Sequence, residues 1–312
     1  MLLEIVLLIA GLALIVFGAE WLVDGASSVA RKAGLSEFVI GLTIVGFGTS
    51  CPELVVSLTG ALQGNADVAV GNVVGSNLFN TLLILGVTAL ISPLVITRNN
   101  ARRDIPIALL ATIILVVMSL VGNNITRFEG AIMLILFALY IYSCFKTDTG
   151  LDDEEDALKK EKTVFISIIF ILAGLAGLIF GGQLFVDNAT LLAKQLGVSD
   201  KVIAITLLAG GTSLPELATC VVAAVKGKGQ LALGNILGSN VFNILLILGT
   251  SAAIVPLSTA AMGLVDLAVL LMSSLMLILW TVTGSKNKLD RWEAVLMVLI
   301  YLAYIAYLFV KV

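Results

Sequence analysis

Two glutamates set inside apolar runs are the side chains of this chain best placed to do chemistry. Glu53 closes the hexapeptide GTSCPE and Glu216 closes GTSLPE. A charge at the centre of a membrane-crossing helix costs roughly 3 kcal/mol and marks a functional site by default. The proline before each glutamate removes a backbone donor and clashes with the preceding turn, and the glycine four residues before it weakens the same place. A helix is expected to break there, leaving the carbonyls of Gly46 and Ala209 without intrahelical donors. Hydrocarbon cannot satisfy such groups, so they must face protein or a water-filled cavity. Free carbonyls, the hydroxyls of Thr49, Ser50, Thr212 and Ser213, and the two carboxylates are all hard oxygen ligands for a cation.

A second motif supplies a facing wall. Ser76 and Asn80 are four residues apart, as are Ser239 and Asn243, so each pair lies on one helix face and its oxygens can meet Glu53 and Glu216. The inventory is two carboxylates, six hydroxyls, two side-chain amides and several carbonyls. Calcium takes about six to eight oxygens in flexible geometry, which this set can provide. Two carboxylates neutralise one divalent ion and so lower the cost of holding it in a low-dielectric site. The remaining oxygens suit sodium. Small residues also line ordinary membrane helix interfaces, but a buried glutamate has no packing rationale.

The elements that position these residues follow from composition. Of 312 residues 59% are hydrophobic and 12% charged, and the mean hydropathy is +1.11. Ten apolar runs reach membrane-spanning length, at about 1–23, 38–62, 68–92, 104–121, 128–145, 164–190, 201–225, 230–255, 263–283 and 291–310. The first lacks a basic leader and carries Glu4, so it is expected to stay as a span rather than be cleaved. With the N-terminus outside, the inside loops hold every lysine and arginine except Arg127, Lys194, Lys201 and Lys311. The positive-inside rule therefore places both termini outside.

The chain also repeats itself. Residues 41–86 match residues 204–249, and the offset of 163 between Glu53 and Glu216 holds without a gap from Val16 to Leu94, with nearly half the positions identical. Each repeat holds five spans, an odd number, so the second enters the membrane in the opposite sense. Inverted repeats of this kind characterise transporters, with sites near the midplane. The expected fold is an all-α polytopic membrane protein of ten transmembrane helices in two inverted repeats, 1–145 and 163–312, joined by a cytoplasmic acidic linker at 146–162.

Other features read more plainly. The charged linker is taken as solvated, since its DDEED run (152–156) lacks the glycine turn and ligand spacing of an EF-hand. Asp24 and Asp187 match across the repeats and read as helix-end carboxylates, whereas Glu20 corresponds to Gln183, so that charge is not kept by the symmetry. Asn72 and Asn235, with Gly71 and Gly234, fit close packing and interhelical hydrogen bonds. Cys51, Cys144 and Cys220 form no close-spaced set, and the chain has no histidine, the commonest proton relay and transition-metal ligand. No P-loop sequence is present.

The doubled G-x-G-T-S-x-P-E and G-N-x-x-G-S-N motifs resemble the α-repeats of the calcium/cation antiporter superfamily, above all its prokaryotic sodium/calcium exchangers; the resemblance covers essentially the whole chain. It implies that spans 2, 3, 7 and 8 form a compact ion-binding core across which spans 1 and 6 slide to alternate access. It implies that Glu53 and Glu216 bind calcium and share sodium. Thr49, Ser50, Thr212, Ser213, Ser76 and Ser239, with the carbonyls of Gly46 and Ala209, would complete the sites, and Asn80 and Asn243 would line the centre. Some members carry aspartate where this chain has Asn243, which leaves two carboxylates here rather than three and lowers the site's negative charge. The expected activity is sodium/calcium antiport across the cytoplasmic membrane, driven without ATP. Calcium and sodium would be the transported partners, with no cofactor, nucleic acid or obligate protein partner. Exchange of calcium or another divalent cation for protons is the alternative, then a cation channel; an enzyme is weakest, because no nucleophile–base arrangement is visible.

Overall fold

The structure, a computed structural model, describes residues 2–148, 163–198, 209–260, 262–283 and 287–311. Its first five-helix stretch comprises α1 (Leu2–Ala33), α2 (Glu37–Thr49), α3 (Cys51–Leu62), α4 (Ala66–Ile91), α5 (Asn100–Val121) and α6 (Arg127–Lys146), with α2 and α3 forming one broken rod. The second comprises α7 (Val164–Gln195), one turn at Ala209–Gly211, α8 (Leu214–Val225), α9 (Gly229–Ile254), α10 (Leu264–Thr283) and α11 (Arg291–Lys311). Eight of these helices are long and apolar enough to cross a membrane, and α2 with α3, bent by 47°, passes as a ninth, broken span. The run expected at 201–225 lies partly outside the described residues. Its described end, α8, has 12 residues and cannot cross alone. Most of the acidic linker, residues 149–162, also lies outside them.

The broken spans arise as the prolines require. Ser50, at φ −83° and ψ 5°, leaves the helical region after Thr49, and α3 restarts with Pro52 in its first turn, where a missing N–H costs nothing. Ser213 and Pro215 do the same before α8.

Two features depart from the expected boundaries. Helices α1 and α7 run 32 residues each, past the expected ends at 23 and 190. At about 1.5 Å per residue that is ~48 Å, well over a bilayer core, so each tilts or projects beyond it. Asp24 ended the apolar run of the first without ending its helix, and the second likewise continues past the end of its run to Gln195. The second departure is π-helical backbone at Gly41–Val45, Phe79–Ile84, Asn100–Asp104 and Phe242–Leu248. Asn80 and Asn243 both stand in such segments, which recur at functional sites.

Helix α9 is the centre: 94% of its spanning window is buried, against 72% for α4 and 17% for α11. It lies on α2 backbone to backbone, since a Cβ on Gly234 would stand 2.2 Å from the Phe38 carbonyl oxygen and one on Gly41 2.3 Å from that of Leu231. Helices α1 and α7 pack antiparallel along their length in the same way, with Gly11 against Gly181 and Gly18 against Gly174. Two short ribbons tie the halves together. Strand β1 (Leu94–Val95) pairs antiparallel with β4 (Lys288–Leu289), and β2 (Asn124–Ile125) with β3 (Leu257–Ser258). Leu94 and Leu257 are 163 apart, as are Ile125 and Lys288, so each ribbon joins a loop of one repeat to the matching repeat's opposite loop.

One face gathers the basic loops. Lys226 pairs with Asp24 at 2.6 Å and Lys228 with Glu37 at 2.5 Å. The Ser36 amide donates to Asp148, Gln230 donates to the Val95 carbonyl, and Arg103 donates to Thr147. These contacts bring together the chain ends following α1, α4, α6 and α8.

Candidate functional site

The two breaks meet at the centre, and each carboxylate is held by the other repeat. Ser213 Oγ donates to Glu53 Oε1 at 3.0 Å, and Ser50 Oγ donates to Glu216 Oε1 at 3.1 Å. Both glutamates are about 1% exposed. Their second oxygens, Glu53 Oε2 and Glu216 Oε2, are buried without a hydrogen-bond partner. So are Ser76 Oγ, Thr212 Oγ1, Asn243 Oδ1 and both polar atoms of Asn80. Native interiors rarely leave buried polar atoms unpaired, and here they cluster among the residues that the sequence motifs bring forward. Oxygens of this density, with two carboxylates, are of the kind that hard cations take as ligands.

The other expected ligands are partly engaged. Thr49 Oγ1 lies 3.1 Å from the Val45 carbonyl and 3.2 Å from Asn235 Oδ1. Ser239 Oγ approaches the Gly46 carbonyl at 3.5 Å and Asn235 Oδ1 at 3.4 Å. The expectation for Gly46 is corrected: its carbonyl accepts the Ser50 amide at 3.1 Å. A proline deprives the carbonyl four residues earlier, so the α-helical donors lost to Pro52 and Pro215 belong to Gly48 and Gly211. Ala209 opens the turn before α8, and its side chain is outside the described residues.

Polar side chains around the glutamates buttress the site: Asn72 and Asn235 make the interhelical hydrogen bonds expected of them, and Asn77 and Asn240, which were not singled out, add more. Asn72 Nδ2 donates to the Glu53 carbonyl at 3.3 Å and to Ser57 Oγ at 3.0 Å, tying α4 to α3. In the second half Asn235 Nδ2 makes the equivalent contact to Cys220 Sγ, which stands where Ser57 does. Asn77 and Asn240, inside the G-S-N motif, bond across the repeats. Their doubling with the motif was the available signal.

Among the described residues a cavity leads to this centre. This cavity, of about 580 Å³, is lined by residues of α3 from Cys51 to Val56, by Asn72 of α4, by one face of α7 that includes Ile179, Gln183 and Asp187, and by Gly211, Thr212 and Pro215. It reaches both breaks on the side away from the basic face. At the matching place in the other half α1 packs directly along α8, and the Asp24–Lys226 pair closes its end.

Helices of membrane-spanning length, broken around a buried cluster of oxygens, define an ion-translocating membrane protein. The comparisons give the family. The sodium/calcium exchanger protein family matches residues 3–146 and again residues 166–310, and the chain belongs to it. The chain is 37% identical over 314 residues to the putative antiporter CaxA of Alkalimonas amylolytica, across 97% of this chain and 98% of that protein. It is 34% identical over 343 residues to the sodium/calcium exchanger MaX1 of Methanosarcina acetivorans, across 97% of each. A solved structure of the sodium-calcium exchanger NCX_Mj matches with a TM-score of 0.85 at 34% identity, over 97% of this chain and 98% of that one. The protein is a multi-pass, all-helical cation exchanger with calcium among its ions, and not an enzyme.

Proposed function

We propose that the protein exchanges sodium for calcium across the cytoplasmic membrane by alternating access. Glu53, Glu216, Thr49, Ser50, Thr212, Ser213, Ser76, Ser239, Asn80, Asn243 and the carbonyls of Gly46 and Ala209 surround the ions. One observation carries this reading: each buried glutamate has one oxygen held by the other repeat's serine and one without a protein partner. The hydroxyls and amides around them exceed what one calcium needs, which favours sodium as the counter-ion.

Loop parity supports ten spans. A ribbon holds its two loops on one membrane face, so an even number of crossings must separate them. Between β2 and β3 the chain crosses in α6, α7 and α9, an odd count, and α8 with the turn before it supplies the fourth. The β1–β4 ribbon leads to the same requirement. The antiparallel course of α1 and α7, which correspond under the 163-residue offset, supports inverted repeats divided at the 146–162 linker. The basic loops gathered on one face support termini on the other. The cavity along α7 and the closed packing along α1 fit a site open to one side at a time.

The test is radiolabelled calcium uptake into proteoliposomes loaded with sodium and diluted into sodium-free medium, repeated with a pH gradient alone. Sodium-driven uptake that a sodium ionophore collapses supports the reading. Uptake driven only by the pH gradient would reassign the protein as a proton exchanger.

A further inference from the structure

The centre of the site contains two asparagines that the repeat makes equivalent and the structure does not. Asn243 Nδ2 donates to Asn77 Oδ1 at 3.0 Å, and Asn243 Oδ1 is buried without a partner. Asn80 has neither polar atom partnered. All three side chains are at most 1% exposed.

The orientation of Asn243 follows from hydrogen-bond chemistry alone. Asn77 Nδ2 donates at 3.1 Å to the backbone carbonyl of Asn240, and a carbonyl can only accept. Asn77 must therefore turn its nitrogen to Asn240 and its oxygen to Asn243. An oxygen facing Asn243 calls for a donor, so Asn243 turns its nitrogen to Asn77 and carries its own oxygen away from it. The mirror-image chain would run from Asn240 to Asn80, and it is broken. Asn240 Nδ2 donates instead to Thr81 Oγ1 at 2.8 Å, and Asn240 Oδ1 has no partner. Thr81 has no counterpart: the equivalent position in the second repeat is Ile244. A single hydroxyl thus draws Asn240 away from Asn80.

We propose that Asn77 is a positioning residue for ion binding: it locks Asn243 with its carbonyl oxygen toward the ions, while Asn80 stays free to turn. This rests on the site reading above. An unlocked amide presents a repelling N–H to a cation in half its orientations, so the lock favours affinity without touching an ion.

The test is a double-mutant cycle on sodium-driven calcium uptake in proteoliposomes, with Asn77→Ala, Asn243→Asp and the combination. A carboxylate at 243 offers oxygen whichever way it turns, and it has no donor for Asn77 Oδ1. Asn77→Ala is expected to lower apparent calcium affinity about tenfold in the wild-type background, the scale of one lost hydrogen bond. In the Asn243→Asp background the same change should cost nothing or restore affinity. Equal losses in both backgrounds, or none in the wild type, would overturn the proposal, because a merely structural role adds the same cost to each. Should the alanine variant fail to give a monodisperse protein, Asn77→Ser, too short to bridge Asn240 and Asn243, runs the same cycle with the same criteria. Glu216→Gln in parallel separates the two ideas: if it leaves uptake intact the site reading itself fails, and if it abolishes uptake while the cycle is additive only the lock fails.

Discussion

Replacing Glu216 by glutamine tests the site with the least disturbance to the fold. The amide keeps the shape of the carboxylate, and its oxygen still accepts from Ser50 Oγ, now 3.1 Å from Oε1. What disappears is one negative charge in a place that is 1% exposed. For a calcium ion about 2.4 Å from a carboxylate oxygen, at an effective dielectric of ~20, the lost attraction is about 14 kcal/mol. Even if relaxation of the site and of the ion's hydration offset four-fifths of that, about 3 kcal/mol remains, roughly a hundredfold in affinity. Sodium carries half the charge and loses half the attraction, so the variant should discriminate against calcium more than against sodium. The assay is a calcium titration of uptake into sodium-loaded proteoliposomes, with protein insertion and monodispersity checked beforehand. An apparent calcium affinity within about threefold of wild type would refute the argument, since so small a change is under 1 kcal/mol.

Further outcomes are expected. Ser76→Ala and Ser239→Ala should weaken sodium dependence more than calcium affinity, as measured by sodium and calcium titrations of uptake; equal losses for both ions would count against separate sodium positions. A thiol-reactive maleimide on the folded protein should modify Cys51, which lines the 580 Å³ cavity, and spare the buried Cys144 and Cys220. Peptide mapping that finds Cys220 labelled first would contradict the packing described for α8. Gly234→Ala should lower the melting temperature of the detergent-solubilised protein, because its Cβ would meet the Phe38 carbonyl at 2.2 Å and overpacking of this kind costs about 1–3 kcal/mol. An unchanged melting temperature would mean that α2 and α9 are not packed backbone to backbone.

Much of the site was legible because its signals are local and doubled. Pro52 and Pro215 announce the breaks, Glu53 and Glu216 stand in apolar surroundings, and the four-residue spacing of Ser76 with Asn80 holds on a helix of any pitch near 3.6. What was not legible depends on distance or on backbone detail. The serine of one repeat holding the glutamate of the other requires the two breaks to face each other, which no spacing within one segment encodes. The π-helical turns at Phe79–Ile84 and Phe242–Leu248 widen the helix by less than one residue per turn, too little to disturb an apolar pattern in a helix that is buried almost all round. The ribbons escape notice because two-residue strands carry no alternation. The carbonyl misassigned to Gly46 shows a different limit: the count back from proline fixes which acceptor is orphaned, and the sequence reading placed it two residues too early.

The repeats also explain why asymmetry matters here. Residues 163 apart meet nearly the same neighbours in kind, so the contacts that close α1 onto α8 have counterparts that would close α7 onto α3. Two such arrangements differ by little in packing, the condition for a protein that populates both. Their balance falls to positions where the offset fails. Lys226, which pairs with Asp24, corresponds to Gln63 under the offset, so Asp187 has no lysine at the matching position and lines the cavity instead. Glu20 stands opposite Gln183, Cys220 opposite Ser57, and Thr81 opposite Ile244. An exposed pair such as Asp24–Lys226 contributes at most about 1 kcal/mol, which is negligible for the stability of the fold but comparable to the small gap between two related closures. On the proposed mechanism, weak surface contacts would act on which side of the site is open, while the buried carboxylates and their cross-repeat serines would act on which ion is held.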